Sequence, residues 1–505
     1  MRILLVITNV SGFHEIPYSF GLSSIAASAL LEGHEVEVVG IQAESDYQTM
    51  LATIDSFDPS VIGFSAVTSQ YQASCDAAKL IRDNGGKQII VCGGTHITMV
   101  PNDLIASPQF DVGFVGESEV SFIEFLRMIE TNRDYRGVSN LAYVEDGRLI
   151  QNSLTPLVTD LDVLPHPIFG DLFESYIRGN GYAPFLFSRG CPYKCTNCAT
   201  PILGHISGSK TNRPRYRSPV SCIEEINLAR EQHTFERIYI TDDIFGVNRK
   251  WRREFCELYA KEIRLPYICL LRTNLITEEF LYDLKRSGCY RIQFGVESGN
   301  EHIRNSVLKR GLKEDGILQA FKLVKEFDID SCALNMIGLP GENESMVWDT
   351  IRLNRRIEPK ISSACVYYPY KGTPLGDYCF ENELVDESRY YDTKDRRASA
   401  LKFSKWYLKK LALYRILWPI LVSPRIAKSY YSSLVLLFTD SRFRGLFRRF
   451  QKMLRRVLAP QTGPVASDIA WPLPKTFEPT EFGTTEIDDD RQVLVSENRV
   501  DIGGD

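Results

Sequence analysis

Short apolar runs alternate with segments of helical composition over the first 130 residues. Strands are predicted at 2–7, 35–39, 61–65, 88–92 and 111–115, and helices at 22–31, 72–83 and 120–129. Gly33 and His34 end the first helix before the second strand begins. Such alternation favours a doubly wound parallel sheet, Rossmann-like in type, with a ligand crevice at the carboxyl ends of its strands. We predict an α/β domain over 1–150.

The alternation resumes after residue 180. Strands are predicted at 185–188, 237–241, 267–271, 291–296, 330–337 and 363–368. Polar or glycine-containing segments follow these strands, and in a barrel of parallel strands all such loops face one mouth. We predict a partial (β/α)6 barrel of the TIM type over 181–400. Residues 151–180, which contain Leu164-Pro165-His166-Pro167, are predicted to be a linker.

The last hundred residues carry weaker patterns. A mainly helical region is predicted over 401–459, and a disordered tail rich in Pro, Thr and acidic residues over 460–505. The apolar run 411–422 is interrupted by Arg415 and Pro419 and is shorter than the roughly 20 residues that cross a bilayer. No transmembrane helix is expected.

One stretch near the C-terminus is basic and amphipathic. Residues 441–456 interleave seven Arg and Lys residues with Phe, Leu and Met. Such a segment fits the surface of an anionic membrane. A helix that packs against the barrel and exposes its basic face to water fits the pattern better.

Composition limits the class of protein. With 505 residues, of which 44% are hydrophobic, the chain can bury more than one core. The 59 basic and 64 acidic residues give a net charge of -5, so nucleic acid is not an expected partner. Nine of the twelve cysteines are scattered singly and no signal peptide is apparent, which indicates the reducing cytoplasm.

The remaining three cysteines form the most informative motif. Cys191, Cys195 and Cys198 lie within eight residues, a spacing that can hold three corners of one 4Fe-4S cluster. Electron-transfer clusters normally take four cysteines, so three leave one iron open to a small molecule. A zinc knuckle that uses His205 as a fourth ligand is the alternative, although no second Cys-x-x-Cys pair is present.

Glycine and small polar residues follow the strands of the first domain. At these positions a backbone can approach a bulky ligand closely. Because each group follows a parallel strand directly, all are expected along one edge of the sheet. The candidate ligand contacts are Ser65, Thr68, Gly93, Gly94, Thr95, His96, Gly116 and Glu117.

The segment from Ser188 to Cys198 resembles the signature of the radical S-adenosylmethionine (radical SAM) superfamily. The resemblance implies that SAM chelates the open iron and is cleaved by one electron to a 5'-deoxyadenosyl radical. Asn197 departs from the pattern, because an aromatic residue usually precedes the last cysteine. The family uses that position largely through its backbone.

Further segments extend the resemblance over about 185–375. Gly295-Val296-Glu297-Ser298-Gly299 resembles a Gly-x-Glu-Ser-Gly segment, which implies SAM contacts by Glu297 and Ser298. The segment 338–342, with Gly338 and Pro340, resembles one that cradles adenine. Positions equivalent to the remaining candidates contact the methionine amino group (Asp242 and Asp243) and the ribose or carboxylate (Arg272 and Asn274). The three cysteines and Glu297 form the implied catalytic set.

The first domain resembles the cobalamin-binding domain of cobalamin-dependent radical SAM enzymes. This implies a corrin on the strand ends with its nucleotide tail in the sheet. The Asp-x-His-x-x-Gly motif that supplies a lower cobalt ligand is absent, and His14 is surrounded by residues that do not match it.

The two resemblances together imply a cobalamin-dependent radical SAM enzyme that methylates an unactivated carbon of a small molecule. Its cofactors would be a 4Fe-4S cluster, SAM and cobalamin, with flavodoxin or ferredoxin as the external electron donor. Two alternatives stay open, an anaerobic cyclase of the tetrapyrrole type and a non-catalytic cobalamin or iron-sulfur sensor.

Overall fold

The computed structural model describes residues 1–10, 18–206, 208, 213–390 and 397–423. His14, the basic stretch 441–456 and the tail 460–505 therefore lie outside the described residues. Of the predicted helical region 401–459, only the part up to residue 423 is described.

A seven-stranded sheet forms the N-terminal part. Its strands are β1 (Arg2–Thr8), β2 (Glu35–Ile41), β3 (Val61–Ser65), β4 (Ile89–Gly93), β5 (Val112–Phe114), β6 (Leu141–Glu145) and β7 (Arg148–Gln151). They lie in the order β2-β1-β3-β4-β5-β6-β7. The first five are parallel, β6 pairs antiparallel with β5, and β7 pairs antiparallel with β6. The parallel part confirms the prediction, and the order changes direction beside β1, where the crevice of such sheets lies.

Helices cover both faces of this sheet. On one face α1 (Phe20–Leu31) and α5 (Glu119–Glu130) share a core with β1, β3, β4 and β5. On the other face lie α2 (Asp46–Phe57), α3 (Tyr71–Asp83) and α4 (Thr95–Met99). The sheet is therefore doubly wound, as predicted.

The predicted linker contains a helix. Between the sheets, α6 (Asp171–Asn180) packs Phe173 and Ile177 into the core of the next domain. Gly181 ends the helix in the left-handed conformation, with φ +78°. The end of this segment thus belongs structurally to the second domain.

Six parallel strands form the second sheet. In chain order the elements are β8 (Ala183–Phe185), β9 (Ser188–Arg189), α7 (Thr200–Ile206), β10 (Arg215–Tyr216), α8 (Pro219–Gln232), β11 (Ile238–Ile240), α9 (Arg249–Glu262), β12 (Tyr267–Leu271), α10 (Glu278–Ser287), β13 (Cys289–Glu297), α11 (Glu314–Glu326), β14 (Asp330–Ile337), α12 (Glu344–Ile357) and β15 (Ile361–Val366). The sheet order is β8-β11-β12-β13-β14-β15, and β9 pairs only with β10 in a separate antiparallel hairpin. This architecture confirms the partial (β/α)6 barrel.

Three helices follow the barrel, namely α13 (Pro374–Glu381), α14 (Glu387–Tyr390) and α15 (Lys405–Leu421). The last of these covers β15, and the buried Trp418 donates from its indole N–H to Ser362 Oγ at 2.8 Å. Across the described residues, no helix combines the length and the hydropathy that crossing a bilayer requires.

Candidate active site

The start of the cysteine loop is held by a buried carboxylate. Asp242, at the end of β11, accepts hydrogen bonds from the backbone N–H groups of Phe187 and Ser188 at 2.7 and 3.2 Å, and from Ser188 Oγ at 2.6 Å. Burial raises the pKa of Asp242 to about 7, although these hydrogen bonds oppose the increase. Asp242 therefore positions the loop, whereas its neighbour Asp243 lines the adjoining cavity.

Thr196 holds the middle of the loop. Its hydroxyl donates to the Val307 carbonyl at 2.6 Å and its backbone N–H to the Leu308 carbonyl at 3.3 Å. Its own carbonyl accepts from the Leu375 N–H at 2.9 Å. Sequence reasoning missed this residue, because the contacts come from segments more than 100 positions away.

The three thiols lie in partly buried surroundings. Burial raises the pKa of Cys191 to about 11 and also raises that of Cys198. Metal ligation requires thiolates, and a bound metal ion reverses such an increase by its own charge. The residues present therefore fit a cluster that supplies the charge for their ionisation.

No group of three or more His, Cys, Asp or Glu side chains within the described ranges converges on a point suited to one metal ion. A structural zinc site needs that convergence. The three cysteines of a cubane bind three different irons, so their sulfurs need not meet at one point.

Two arginines approach the second cysteine. Arg272 Nη1 lies 3.4 Å and Arg310 Nη1 3.6 Å from Cys195 Sγ. Asn274 accepts from Arg272 Nε at 3.2 Å and donates to the Tyr193 hydroxyl at 2.9 Å. Arg272 and Asn274 thus meet the cysteine loop directly. Arg310, which sequence reasoning missed, lies in the segment that also contacts Thr196.

Glu297 occupies an unusual backbone conformation at the end of β13. Its φ of +63° is left-handed, which is costly for a residue with a side chain. Its Oε1 atom lies 3.3 Å from Arg310 Nη1. A Cβ atom on Gly295 would approach Glu297 Oε1 to 2.6 Å, so a larger residue there would displace the end of the Glu297 side chain. The carboxylate is therefore held at the strand end.

Ser298 plays a structural part in the same turn. It is fully buried, its Oγ lies 3.3 Å from Thr350 Oγ1, and it accepts from the Asn300 N–H at 3.2 Å. These contacts stabilise the turn after Glu297.

The loop after β14 is closed by Glu342. Its Oε2 atom accepts from the N–H groups of Gly338 and Leu339 at 2.5 and 3.3 Å, and burial raises its pKa to about 8. Gly338 has φ +76°, and a Cβ atom there would lie 2.9 Å from Leu411 of α15. Gly338 and Pro340 are consequently buried beneath this helix.

Asn197 connects the cysteine loop to the same strand. Its amide nitrogen lies 3.9 Å from Met336 Sδ, two residues before Gly338. Asn197, which departs from the aromatic pattern, therefore packs against the end of β14, near the loop that follows it.

A cavity of about 500 Å³ joins the two sheets. The candidate residues that line it are Ser65, Gly93, Gly94, Thr95, Gly116, Glu117, Cys191 and Asp243. It thus extends from the strand ends of the first domain to the first cysteine of the loop. This continuity is the main geometric feature of the site.

The inner part of the cavity enters the core beneath α1 and α5. Gly63, in the middle of β3, lines it together with Leu5 and Val91. A Cβ atom on Gly63 would approach Leu5 Cδ2 to 2.9 Å. A side chain at this position would occupy the cavity, and the sequence analysis did not select Gly63.

His96 and Thr68 lie away from this lining. The His96 ring packs on Tyr71 with centroids 4.0 Å apart, and its Nδ1 and Nε2 atoms contact Thr68 Oγ1 at 3.3 Å and Asp103 Oδ2 at 3.1 Å. Both ring nitrogens are therefore engaged inside the helix layer of α3 and α4. These two predicted contacts correspond to a structural cluster, because α4 turns the side chain of His96 inward.

An ionic network connects the first domain to the cysteine loop. Arg189, two residues before Cys191, donates to Glu117 Oε2 at 3.0 Å and to Glu119 Oε1 at 2.6 Å. Arg215 is the β10 partner of Arg189 and also donates to Glu117. Four of these residues line the cavity wall between the strand ends and Cys191.

Glu119 is the most buried member of the network, with a side chain that is 5% exposed. Burial alone would raise the pKa of Glu119, but the Arg189 guanidinium outweighs it and holds the pKa below its usual range. Ser24 Oγ of α1 donates to the same carboxylate at 2.9 Å. The network is fully partnered, which buried charges require.

Two family profiles match the chain. The profile for the radical SAM superfamily matches residues 185–353, and that for the B12-binding domain matches residues 6–126. They confirm the two resemblances and imply the cofactors of these domains, a 4Fe-4S cluster, SAM and cobalamin. The strand-end loops that face the shared cavity lie within the B12-binding match, residues 6–126, and the cysteine loop lies within the radical SAM match, residues 185–353.

Two curated relatives illustrate the range of the match. An uncharacterized methyltransferase of Pyrococcus horikoshii is 27% identical over 393 residues, covering 76% of this chain and 84% of the relative. The anaerobic magnesium-protoporphyrin IX monomethyl ester cyclase of Synechocystis is 24% identical over 431 residues, covering 81% and 84%.

A solved structure shares the fold. The radical SAM methyltransferase TsrM from Kitasatospora setae, with cobalamin and a [4Fe-4S] cluster bound, superposes with a TM-score of 0.63 at 18% identity, covering 75% of each chain. The likeness extends over both sheets and confirms the architecture.

We expect Arg189→Met to destabilise the protein by about 3–5 kcal/mol, because it leaves Glu119 buried without a counter-ion. The melting temperature and the iron retained after reconstitution should both fall. In the double variant Arg189→Met/Glu119→Met the unpaired charge is absent, so both should recover in part.

Arg127→Met is the matched control for this experiment. Arg127 forms a 2.6 Å pair with Glu32 on the surface, and such exposed pairs contribute about 0–1 kcal/mol. Equal effects of the Arg127 and Arg189 variants would contradict a special role for the buried network.

We expect Gly63→Leu to weaken cobalamin binding at least tenfold, because its side chain fills the cavity beside Leu5. Absorbance titration of the apoprotein with hydroxocobalamin measures the affinity. Gly137→Leu is the control, since a Cβ atom on Gly137 meets nothing within 4 Å. Wild-type affinity in a folded Gly63→Leu protein would place the cofactor elsewhere.

Proposed function

Because the chain joins a B12-binding domain to a radical SAM domain, we propose that it is a cobalamin-dependent radical SAM methyltransferase acting on a small molecule. The observation that carries this proposal is the single cavity that runs from the glycine-rich strand ends to Cys191. When bound, the cluster and SAM supply a carbon-centred radical and cobalamin supplies the methyl group.

The cysteine loop binds the cluster through Cys191, Cys195 and Cys198. Asp242 and Thr196 hold this loop from opposite sides, so the ligands keep their positions when the cluster is loaded. Residues that orient metal ligands in this way affect both the assembly and the properties of a site.

SAM presents an ammonium, a carboxylate and an adenine to the strand ends of the barrel. Glu297 and Asp243 are the carboxylates available for the ammonium and the ribose hydroxyls. Gly338 and Pro340 shape the adenine loop, which Glu342 holds closed. Arg272 and Asn274 complete the wall beside the cysteine loop, while Ser298 stabilises the turn that carries Glu297.

The strand ends of the first domain would hold cobalamin. Ser65, Gly93, Gly94, Thr95 and Gly116 form the edge of its pocket, and Gly63 leaves room for the nucleotide tail. Gly94, with φ +95°, approaches Ala66 so closely that a Cβ atom would lie 2.6 Å from the Ala66 carbonyl oxygen. The loops that follow β3 and β4 are therefore in direct contact at the edge of the pocket.

The work of the protein is to enclose the reacting groups. With the domain division that we propose, 1–150 for cobalamin and 181–400 for the cluster and SAM, the substrate would bind in the shared cavity, where bound cofactors and substrate would displace water. A flavodoxin or ferredoxin is the proposed source of the electron.

A second candidate function is anaerobic ring closure. The 24% identity to a magnesium-protoporphyrin cyclase extends over most of both chains and supports this candidate. The same two domains would then catalyse ring closure instead of methyl transfer. The two functions share the cluster and the SAM site and differ in the fate of the SAM methyl group.

We expect the reconstituted, reduced protein to cleave SAM to 5'-deoxyadenosine. Cys195→Ala should abolish this activity and remove roughly the whole cluster absorbance, whereas Cys379→Ala, at a buried cysteine outside the loop, should retain both. Product analysis by liquid chromatography measures cleavage. A wild-type protein that holds cobalamin yet never cleaves SAM would favour the sensor alternative.

We expect deuterated methyl from CD3-labelled SAM to appear on cobalamin, and then in the product once a substrate is supplied. Mass spectrometry of the extracted corrin measures the first transfer without knowledge of the substrate. Cleavage of SAM with no labelled corrin would favour the cyclase.

A further inference from the structure

The three cysteines of the loop have different hydrogen-bond donors. Cys191 accepts from the backbone N–H of Tyr193, and Cys198 accepts from Thr200. These donors are neutral. Cys195, in contrast, lies within 3.4 and 3.6 Å of the guanidinium groups of Arg272 and Arg310. Permanent positive charge is thus concentrated on one sulfur of the three.

Arg272 is fixed in this position by three further contacts. Its Nε donates to Asn274 Oδ1, and its Nη2 donates to the backbone carbonyl of Arg310. Its guanidinium carbon lies 3.7 Å from the centre of the Tyr193 ring, within the range of a cation–π contact. The orientation toward Cys195 therefore does not depend on a bound ligand.

Arg310 is fixed from the barrel side. Its Nη2 donates to the Gly295 carbonyl at 2.7 Å, and its backbone N–H donates to the Arg304 carbonyl at 3.0 Å. Arg304 is itself buried and donates to the carbonyls of Ser298 and Gly299 at 2.9 and 3.0 Å. This chain of contacts holds Arg310 against β13.

The charges around Cys195 do not balance within the described residues that contact it. The two guanidinium groups contribute two positive charges, and the Glu297 carboxylate lies 3.3 Å from Arg310. The Asp243 carboxylate acts on the other two cysteines, Cys191 and Cys198. One positive charge is left facing the sulfur. Charge in a partly buried site acts strongly on its neighbours, because little water screens it.

We propose that Arg272 and Arg310 are positioning residues that raise the reduction potential of the cluster held at Cys195. Reduction adds one electron, and therefore one negative charge, from a low-potential flavin or iron-sulfur donor, and no bond forms or breaks in that step. Hydrogen bonds to cluster sulfurs and nearby charge set such potentials. The inference rests on the proposed function, because it requires the cluster.

The test is a redox titration of the reconstituted full-length protein without SAM, followed by electron paramagnetic resonance of the reduced cluster. In Arg272→Gln and in Arg310→Gln, the ratio of reduced to oxidised cluster at a given potential is expected to fall about tenfold, which equals about 59 mV for one electron. Iron and sulfide analysis accompanies each titration, so that loss of cluster is not mistaken for a shift.

Lys309→Gln is the matched control. Lys309 is exposed and adjacent to Arg310, so the variant removes the same charge one residue away from the sulfur contact. Solvent and salt screen this position. Its potential is expected to equal that of the wild type, and an equal shift in all three variants would mean that only net charge matters, which overturns the proposal.

Two results separate this inference from the proposed function. Unchanged potentials in both Gln variants, together with weaker SAM binding, would overturn the inference and assign the arginines to the SAM carboxylate. A wild-type protein without a 4Fe-4S signal would refute the proposed function itself. Where a Gln variant holds no cluster, Arg272→Met or Arg310→Met replaces it, because methionine also removes the charge while keeping much of the side-chain volume. An unchanged potential in the Met variant counts against the proposal.

Discussion

The geometry of the site depends on the ionic network of Arg189 and Arg215 with Glu117 and Glu119. The two glutamates follow β5 of the first sheet. The two arginines face each other in the antiparallel pair of β9 and β10, beside Cys191. Loss of Arg189 would leave the buried Glu119 carboxylate without a counter-ion, whereas Glu117 is shared by Arg189 and Arg215. The separation between the two cofactor pockets is therefore set by side chains on both sides of the cavity.

The carboxyl ends of the strands carry different kinds of residues in the two sheets. In the first sheet the strand ends offer glycine and backbone, as at Gly93, Gly94 and Gly116, which suits a large flat ligand. In the second sheet they offer fixed charges, as at Asp243, Arg272 and Glu297, which suits a small zwitterion. Both solutions follow from parallel strands, whose carboxyl ends meet at one side. The shared cavity exists because these two sides face each other.

Much of this arrangement could be predicted from the sequence. Ten of the eleven parallel strands lie within a few residues of their predicted positions, whereas the strand predicted at 185–188 shares only Phe185 with β8 (Ala183–Phe185). The cysteine spacing predicted the cluster loop. The Asp146-Gly147 turn, with φ of +50° and +72°, joins β6 and β7 and carried a hairpin signal that was not used. Helix α2 was missed because only Met50 and Ile54 of its twelve residues are buried.

The contacts that complete the site could not be predicted in the same way. Arg310, Thr196 and Arg189 act through partners that are distant in sequence, and a long polar side chain gives no local sign of its direction. His96 illustrates the same difficulty, because its position after a strand predicts a ligand contact, while the turn of α4 carries the ring into the helix layer. Position along the chain predicted the edge of the sheet correctly but not the direction of individual side chains.

Helix α15 has a consequence for any attempt to isolate the barrel. It lies along β15, the terminal strand of an open sheet, and its Leu411 touches the loop at Gly338. A fragment that stopped at residue 400 would leave the backbone of β15 available to another copy of itself, and such bare strands promote self-association. An expression fragment of the barrel should therefore include α15, because shorter fragments are prone to aggregate.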